Sequence, residues 1–148
     1  MSPIKDTDPL TLWHANLIIL DRRKCLIFTN DKTRYTLLVP GLKKPDFKIS
    51  GEIFLDKLFK SMLNDGIPQQ GIEKVLNTCS SYCFTRTSNK SVLGTMNDIA
   101  SIIKWSVYNE GGLLNTDLSD LMMKMNRMPM KPLGYGFSID AFKQMLGV

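Results

Sequence analysis

Three short runs of largely hydrophobic residues lie near the start of the chain. The runs cover Leu12 to Leu20, Lys24 to Asn30 and Thr33 to Val39, and all are rich in β-branched and aromatic residues. Charged residues of Asp21 to Arg23 separate the first two runs, and Pro40 ends the third. Because the links are short, the pattern predicts three consecutive antiparallel strands.

From Ser50 onward, the apolar residues recur at the spacing of a helix. Phe54, Leu58 and Met62 recur at every fourth residue, which places them on one face of a helix. We expect Ser50 to cap this helix and Gly66 to end it.

The remaining pattern predicts one more strand and several more helices. The strand covers Ser81 to Thr87, and an irregular segment runs from Pro132 to Gly136. The helices are expected from Pro68 to Cys79, from a Ser88 or Ser91 cap through Val92 and Val107 to Gly111, from Thr116 to Pro129, and from a Ser138 cap to Leu146.

These elements predict an α+β fold. A small antiparallel sheet, a three-strand meander plus a fourth strand, is covered on one face by four or five helices. A length of 148 residues suits a single domain, with residues 1–9 as a candidate flexible segment. With 43% hydrophobic and 22% charged residues, the composition is that of an ordinary globular protein and not of a disordered or collagenous chain.

The sequence carries no signal for a membrane or secreted protein. The apolar stretch Ala15 to Leu20 is too short to span a bilayer and is followed by four charged residues. The cysteines are an odd set without a disulfide framework, and we expect Cys25, Cys79 and Cys83 to be free thiols. We therefore expect a cytoplasmic protein that does not associate with membranes.

Several familiar kinds of catalytic or cofactor site are missing from the sequence. His14 is the only histidine, and Cys79 and Cys83 lack a second cysteine pair, which makes a zinc site improbable. Phosphate-binding loops, dinucleotide fingerprints and nucleophile elbows are also absent. The sequence therefore predicts neither a metal nor a cofactor. A Cys25–His14 pair on adjacent strands remains conceivable, but no third group orients it.

The formal charge of +5 is concentrated near the start of the chain. Four of the five excess positive charges lie within residues 1–50. A surface that attracts anions should therefore be built mainly from this first third.

A first group of candidate binding residues lies on the predicted hairpin and the run that follows it. Its members offer aromatic, imidazole, amide and guanidinium groups: Trp13, His14, Asn16, Arg22, Arg23 and Arg34. Arginine suits phosphate and aromatic rings stack on bases, so these residue types fit an anion or nucleic-acid surface. A solvated turn, with Trp13 in the core and His14 merely hydrogen-bonded, is the simpler interpretation, and we favour it.

A second group lies between the fourth predicted strand and the long helix. It comprises Arg86, Ser88, Asn89 and Ser91, with Asn97 about two turns into the helix. Backbone amides at a helix start, together with nearby cations, can bind a phosphate or carboxylate. Capping of the helix by Ser88 or Ser91 explains the same residues at least as well.

Five methionines lie close together near the third predicted helix: Met122, Met123, Met125, Met128 and Met130. Such a polarizable, flexible surface can accept a partner helix or an irregular ligand. The commoner role of an apolar helical stripe is to fill the core.

Several segments carry motifs that can be compared with known families: Trp13 to Leu17, Arg22 to Cys25, Asn30 with Thr33 to Tyr35, Thr87 to Asp98, Leu121 to Pro129, and Pro132 to Phe137. Together they resemble a bacterial domain family of unknown function, and the block Ser-Asn-x-Ser-Val-Leu-Gly-x-Met-Asn-Asp is the most specific part. The resemblance implies a bacterial source and transfers no catalytic role. Members often have a further N-terminal strand, and only nine residues precede Leu10, so the resemblance also implies an open sheet edge.

Two functions of different classes fit these observations. The first is a binding or regulatory module whose polar cationic face engages a protein or nucleic-acid partner. The second is a small enzyme on phosphodiester or nucleotide substrates, with His14 as general acid or base and Arg22, Arg23 or Arg86 stabilising negative charge. Homodimerisation through the sheet edge or the Met-rich helix is compatible with both. These functions depend on the first and second groups of candidate binding residues lying close together in the folded protein.

Overall fold

Three antiparallel strands form the main sheet, as the sequence predicts. A computed structural model of the chain describes residues 8–43, 45, 50–79 and 90–148. Within these residues β1 (Trp13–Leu20), β2 (Arg23–Asn30) and β3 (Thr36–Val39) are ordered β1-β2-β3. The tight turn from β1 to β2 places Asp21 and Arg22 in left-handed conformations, at φ of 51° and 67°. Two such residues are typical of the hairpin turn that matches the twist of its strands.

In the part of the chain that the structure describes, five α-helices accompany the sheet: α1 (Ser50–Asn64), α2 (Gln69–Thr78), α3 (Lys90–Asn109), α4 (Leu118–Met125) and α5 (Ser138–Leu146). All follow the predicted hydrophobic spacing, but three residues predicted as possible caps, Ser50, Ser91 and Ser138, lie inside the first turn of their helices. Ser138 is already helical and its hydroxyl donates instead to the main-chain oxygen of Asn126 at 3.2 Å. The alternative cap Ser88 lies outside the described residues.

Helices cover both faces of the sheet, which corrects the prediction that they cover one. Leu26 and Phe28 of β2 pack in a core with α1, α2 and α5, while Cys25 and Ile27 pack in a second core with α3 and α4. Because both faces of β2 are covered, its last six residues are all buried. None of the described helices is both long and apolar enough to cross a bilayer.

A second, two-stranded sheet forms where an irregular segment was expected. It pairs β4 (Pro129–Met130) with β5 (Gly136–Phe137) in antiparallel register. Gly134 and Tyr135 connect them in left-handed conformations, with φ of 62° and 66°. The predicted fourth strand at 81–87 lies outside the described residues. The α+β class is therefore confirmed, with a strand arrangement that differs from the four-stranded description.

Candidate functional site

The loop that follows β2 is fixed by the side chain of Asn30, which is fully buried. Its Oδ1 accepts hydrogen bonds from the main-chain N–H groups of Lys32 at 3.1 Å and Thr33 at 3.0 Å. Its Nδ2 donates to the main-chain oxygen of Pro9 at 2.9 Å. The Asn30 side chain thus supplies hydrogen-bond partners for main-chain groups of the loop and connects the loop to the segment before β1.

Arg34 ends this loop in a strained conformation. Its φ is 63°, in the left-handed region that costs a residue with a Cβ roughly 1 kcal/mol or more. The guanidinium Nη1 donates to the main-chain oxygen of Asp31, and Nη2 donates to Ser91 Oγ at 2.7 Å. Arg34 therefore joins the loop to the first turn of α3, 57 residues further along the chain.

The buried charge of Arg34 has no carboxylate partner among the described residues. The residue is only 7% exposed, and no described acidic side chain forms an ion pair with it. Burial lowers the pKa of the guanidinium, and the charge of Asp31 acts in the opposite direction. Buried arginines are normally paired, because an uncompensated charge in the interior is costly.

His14 and Asp31 form a second contact at the same place. His14 is 2% exposed, and its Nδ1 is in ion-pair contact with Asp31 Oδ1, without the alignment of a hydrogen bond. Burial raises the pKa of the Asp31 carboxyl, while His14 and Arg34 act to lower it. His14 Nε2 and Arg34 Nε are buried and have no hydrogen-bond partner among the described groups. We call the set His14, Asp31, Arg34 and Ser91 the polar junction.

Three of the predicted site residues, His14, Arg34 and Ser91, thus meet at the polar junction. Asn16 is half-buried and lies two residues from His14 on the same face of β1. Trp13 lies on the opposite face, in the core, where it packs edge-on against Phe54 at 5.0 Å between ring centroids. Trp13 therefore has no surface to offer a ligand, as the simpler interpretation of the sequence expected.

Other predicted site residues do not join the polar junction. Arg23 pairs with Leu20, six residues along β1 from His14, which places it about 20 Å away at the other end of the hairpin. Arg22 lies in the turn at that same end. Asn97 is exposed on α3, about 9 Å along the helix axis from Ser91. Arg86, Ser88 and Asn89 lie outside the described residues.

Asp31 is the participant that the sequence analysis missed. The sequence analysis assigns it no role, although a carboxylate one residue past a strand can reach the neighbouring strand. The register pairs His14 with Thr29, and this brings the start of β1 beside the residues that follow β2. Extending the predicted hairpin register past its last pair would have indicated the contact.

A groove of about 660 Å³ begins beside the polar junction. One wall is the face of α3 from Lys90 to Ile102, and the other is the segment Met125 to Pro132. Its floor is mostly apolar, formed by Ile99, Ile102, Met125, Met128 and Met130. We call it the Met groove; Lys90 and Ser91 lie at the end that it shares with the polar junction.

A second buried polar network lies elsewhere and is internally complete. Tyr35 Oη donates to Asp65 Oδ2, and Arg127 Nη1 donates to Asp65 Oδ1 at 2.9 Å. Arg127 Nη1 also donates to the main-chain oxygen of Met123 at 3.0 Å. This network connects the C-terminal end of α1 to α4 with its charges paired, unlike the buried charge of Arg34.

The fold and the polar junction define a small α+β protein with a histidine–aspartate contact and a buried arginine that forms no ion pair with the described acidic residues. Residues 1–141 match the model of a family described as Domain of unknown function (DUF6933), and the chain belongs to that family. The resemblance to a domain family of unknown function is thereby confirmed. No curated protein matches the chain. No three His, Cys, Asp or Glu side chains gather into a metal-binding group in the part of the chain that the structure describes.

Proposed function

We propose that this protein is a cytoplasmic, non-enzymatic binding module whose Met groove holds an apolar segment of a protein partner. The observation that carries the proposal is the open groove of about 660 Å³ with its mostly apolar floor. Concave, largely apolar surfaces with a few polar groups at the edge are the usual binding sites of proteins.

The chemistry of the groove indicates which partner segment fits. Met125, Met128 and Met130 contribute unbranched side chains that adapt to irregular apolar surfaces. Lys90 and Lys131 are exposed on opposite walls, and Asp98 is the one acidic residue among those lining the groove. A segment that combines apolar residues with acidic ones therefore complements the groove in both shape and charge.

A protein partner fits the distribution of cations better than a nucleic acid does. The exposed cluster Arg22 to Lys24 lies at the far end of the hairpin from Arg34, so the two do not form one continuous basic track. Nucleic-acid binding depends on several cations following the phosphate backbone together. We therefore treat nucleic-acid binding as an outcome of the test.

A substitution that fills the groove without disturbing the core gives the sharpest test. Gly94 lines the groove, and a Cβ placed there meets no atom within 4 Å. A photoreactive residue at Met128 should capture a host protein, and Gly94→Trp should abolish this capture. Asn97→Trp is the matched control, because Asn97 is exposed on the same helix but does not line the groove.

The other outcomes of this test are distinct. Capture that Gly94→Trp leaves unchanged would contradict the groove as the binding surface. Salt-dependent RNA or DNA binding that Gly94→Trp abolishes would assign the groove to nucleic acid instead. A concentration-dependent doubling of mass in light scattering, lost in Gly94→Trp, would assign it to a second copy of this chain.

A second candidate function is hydrolysis of a phosphodiester or nucleotide with His14 as general base. The ion-pair contact of His14 Nδ1 with Asp31 resembles the histidine–aspartate contact of catalytic histidines, and the buried Nε2 has no hydrogen-bond partner among the described groups. Arg22 and Arg23 lie too far away to stabilise negative charge beside His14, and Arg86 lies outside the described residues. Among the described arginines, this candidate therefore relies on Arg34.

Kinetics of the single-histidine protein distinguish the two functions. Turnover of a generic phosphodiester that falls by about 100-fold or more in His14→Gln would support the enzyme. Equal, background rates for the wild type and His14→Gln would exclude it for that substrate class and leave the binding module.

A further inference from the structure

We propose that the polar junction is a binding site for an oxyanion, a carboxylate or phosphate group, held by Arg34 and His14. The inference rests on the proposed function only for the source of the anion, which would be an acidic group of the partner. The site itself is argued from three observations on the described residues: a buried charge without an ion-pair partner, two buried nitrogens without hydrogen-bond partners, and the exposed neighbours Lys90 and Ser91.

The buried charge of Arg34 is compensated only in part, because the Asp31 charge acts on it without forming an ion pair. Arg127, whose side chain is 36% exposed, has Asp65 at 2.9 Å, whereas no described acid forms an ion pair with the more deeply buried Arg34. The nearest described carboxylate, that of Asp31, is already in contact with His14 Nδ1. An anion at Arg34 would supply the missing charge.

The donors that would hold the anion lie around Asp31. Arg34 Nε and His14 Nε2 are both buried without a hydrogen-bond partner among the described residues, and both side chains contact Asp31. A histidine paired with a carboxylate through Nδ1 donates through Nε2 when it is protonated. A planar guanidinium and an imidazolium are the side chains best suited to oxyanions.

The surroundings favour negative charge and connect to solvent. The polar junction lies at the first turn of α3, where the dipole of this 20-residue helix attracts anions. Lys90 and Ser91 are exposed, and the Asp31 side chain is 21% exposed. Ser91 lines the end of the Met groove and accepts a hydrogen bond from Arg34 Nη2, which places the guanidinium one side chain away from the groove.

Binding can be measured on the isolated protein because His14 is the only histidine in the chain. We expect inorganic phosphate to shift the imidazole nitrogen and proton NMR signals of His14 saturably, and to raise Tm. Acetate is titrated separately, and the anion that binds more tightly shows whether the site prefers a carboxylate or a phosphate. Chloride at the same ionic strength controls for screening.

A matched pair of substitutions locates the site. Arg34→Lys keeps the charge and removes Nε, so the affinity for the better anion should fall by at least about tenfold. Arg22→Lys is the control, because Arg22 also has a left-handed φ, of 67° against 63°, but lies at the far end of the hairpin. Its affinity should equal that of the wild type.

Several results would overturn the inference. Signals of His14 that do not move with either anion, or that move linearly without saturation, would do so. So would an equal loss of affinity in Arg34→Lys and Arg22→Lys. If Arg34→Lys does not fold, the wild-type titration still decides. A failure of partner capture, by contrast, leaves an observed phosphate or acetate affinity intact, so the two proposals fail separately.

Discussion

Asn126 hydrogen-bonds both main-chain groups of Thr36. Its Oδ1 accepts from the Thr36 N–H at 2.9 Å, and its Nδ2 donates to the Thr36 carbonyl oxygen at 3.0 Å. The side chain thus pairs with the start of β3 as a neighbouring strand would, and it joins the end of α4 to the sheet. Asn126 and Thr36 are both buried, so neither main-chain group has water as an alternative partner.

Asn126→Ala should destabilise the protein by about 2–4 kcal/mol, because two main-chain groups of Thr36 lose their partner inside the protein. Urea unfolding measures this free energy. Asn115→Ala is the control: its exposed side chain donates to the Gly111 oxygen at 3.1 Å, and its loss should cost within about 0.5 kcal/mol. Similar costs for the two variants would contradict the role of Asn126.

Tyr35 should make stability fall at alkaline pH. Burial, reinforced by Asp65, raises the pKa of the folded phenol above its ordinary value, whereas the unfolded phenol ionises near pH 10. Below about pH 10 both states are protonated and the contribution is fully present. Above about pH 10 only the unfolded state loses this proton, so the free energy of unfolding falls by up to about 1.4 kcal/mol per pH unit.

Tyr35→Phe tests this slope. Urea unfolding at about pH 7 should show a cost of about 1–3 kcal/mol, since Asp65 loses a buried donor. The decline between about pH 10 and pH 11 should become shallower than in the wild type. Tyr108→Phe, at a residue that is 85% exposed, should keep the wild-type slope. An unchanged slope in Tyr35→Phe would refute the assignment.

Substitution by alanine should change the stability of the protein in opposite directions at Gly94 and Gly112. Gly94 lies inside α3 with open space around its Cβ position, so Gly94→Ala should stabilise the protein by about 1 kcal/mol. Gly112 has a φ of 120°, and its Cβ would come within 2.9 Å of Asp21 Oδ2, which accepts a hydrogen bond from the Leu113 N–H. Gly112→Ala should lower stability by about 1–3 kcal/mol. Thermal unfolding measures both changes. A Tm that falls in Gly94→Ala, or rises in Gly112→Ala, would contradict the account of that glycine.

Cys25 should be inert to thiol reagents in the folded protein. It is fully buried between β2 and α3, and this burial raises the pKa of its thiol. Thiolate, the reactive form, is therefore scarce at neutral pH and out of reach. Alkylation followed by mass spectrometry should label Cys25 only when urea unfolds the protein. Labelling at the rate of a small free thiol under native conditions would show that the strand opens locally.

Much of the fold follows from local patterns. The spacing of Phe54, Leu58 and Met62 predicts α1, because a helix with one buried face repeats its apolar residues about every 3.6 positions. The β-branched and aromatic runs on either side of Asp21 predict the β1–β2 hairpin. The continuous apolar run Cys25 to Phe28 also carried the signal for helices on both faces, which the assumption of one covered face overlooked.

The candidate site was predictable in part. The hairpin indicated His14 and Arg34, and the start of the long helix indicated Ser91, but no local pattern joins residues 57 positions apart. Trp13 resembled a binding residue from its neighbours alone. Its position on the opposite face of β1, against Phe54, removes it from the site.

The order of side chains along the chain determined the secondary structure, the α+β class and the unusual concentration of positive charge before residue 50. Only the tertiary structure decided that Arg34 meets Ser91 while Arg22 and Arg23 lie at the opposite end of the hairpin. The physical reason is that hydrophobic periodicity fixes which face of an element is buried, whereas the packing of distant elements fixes which polar groups meet. Desolvation then acts on those groups wherever the packing has placed them.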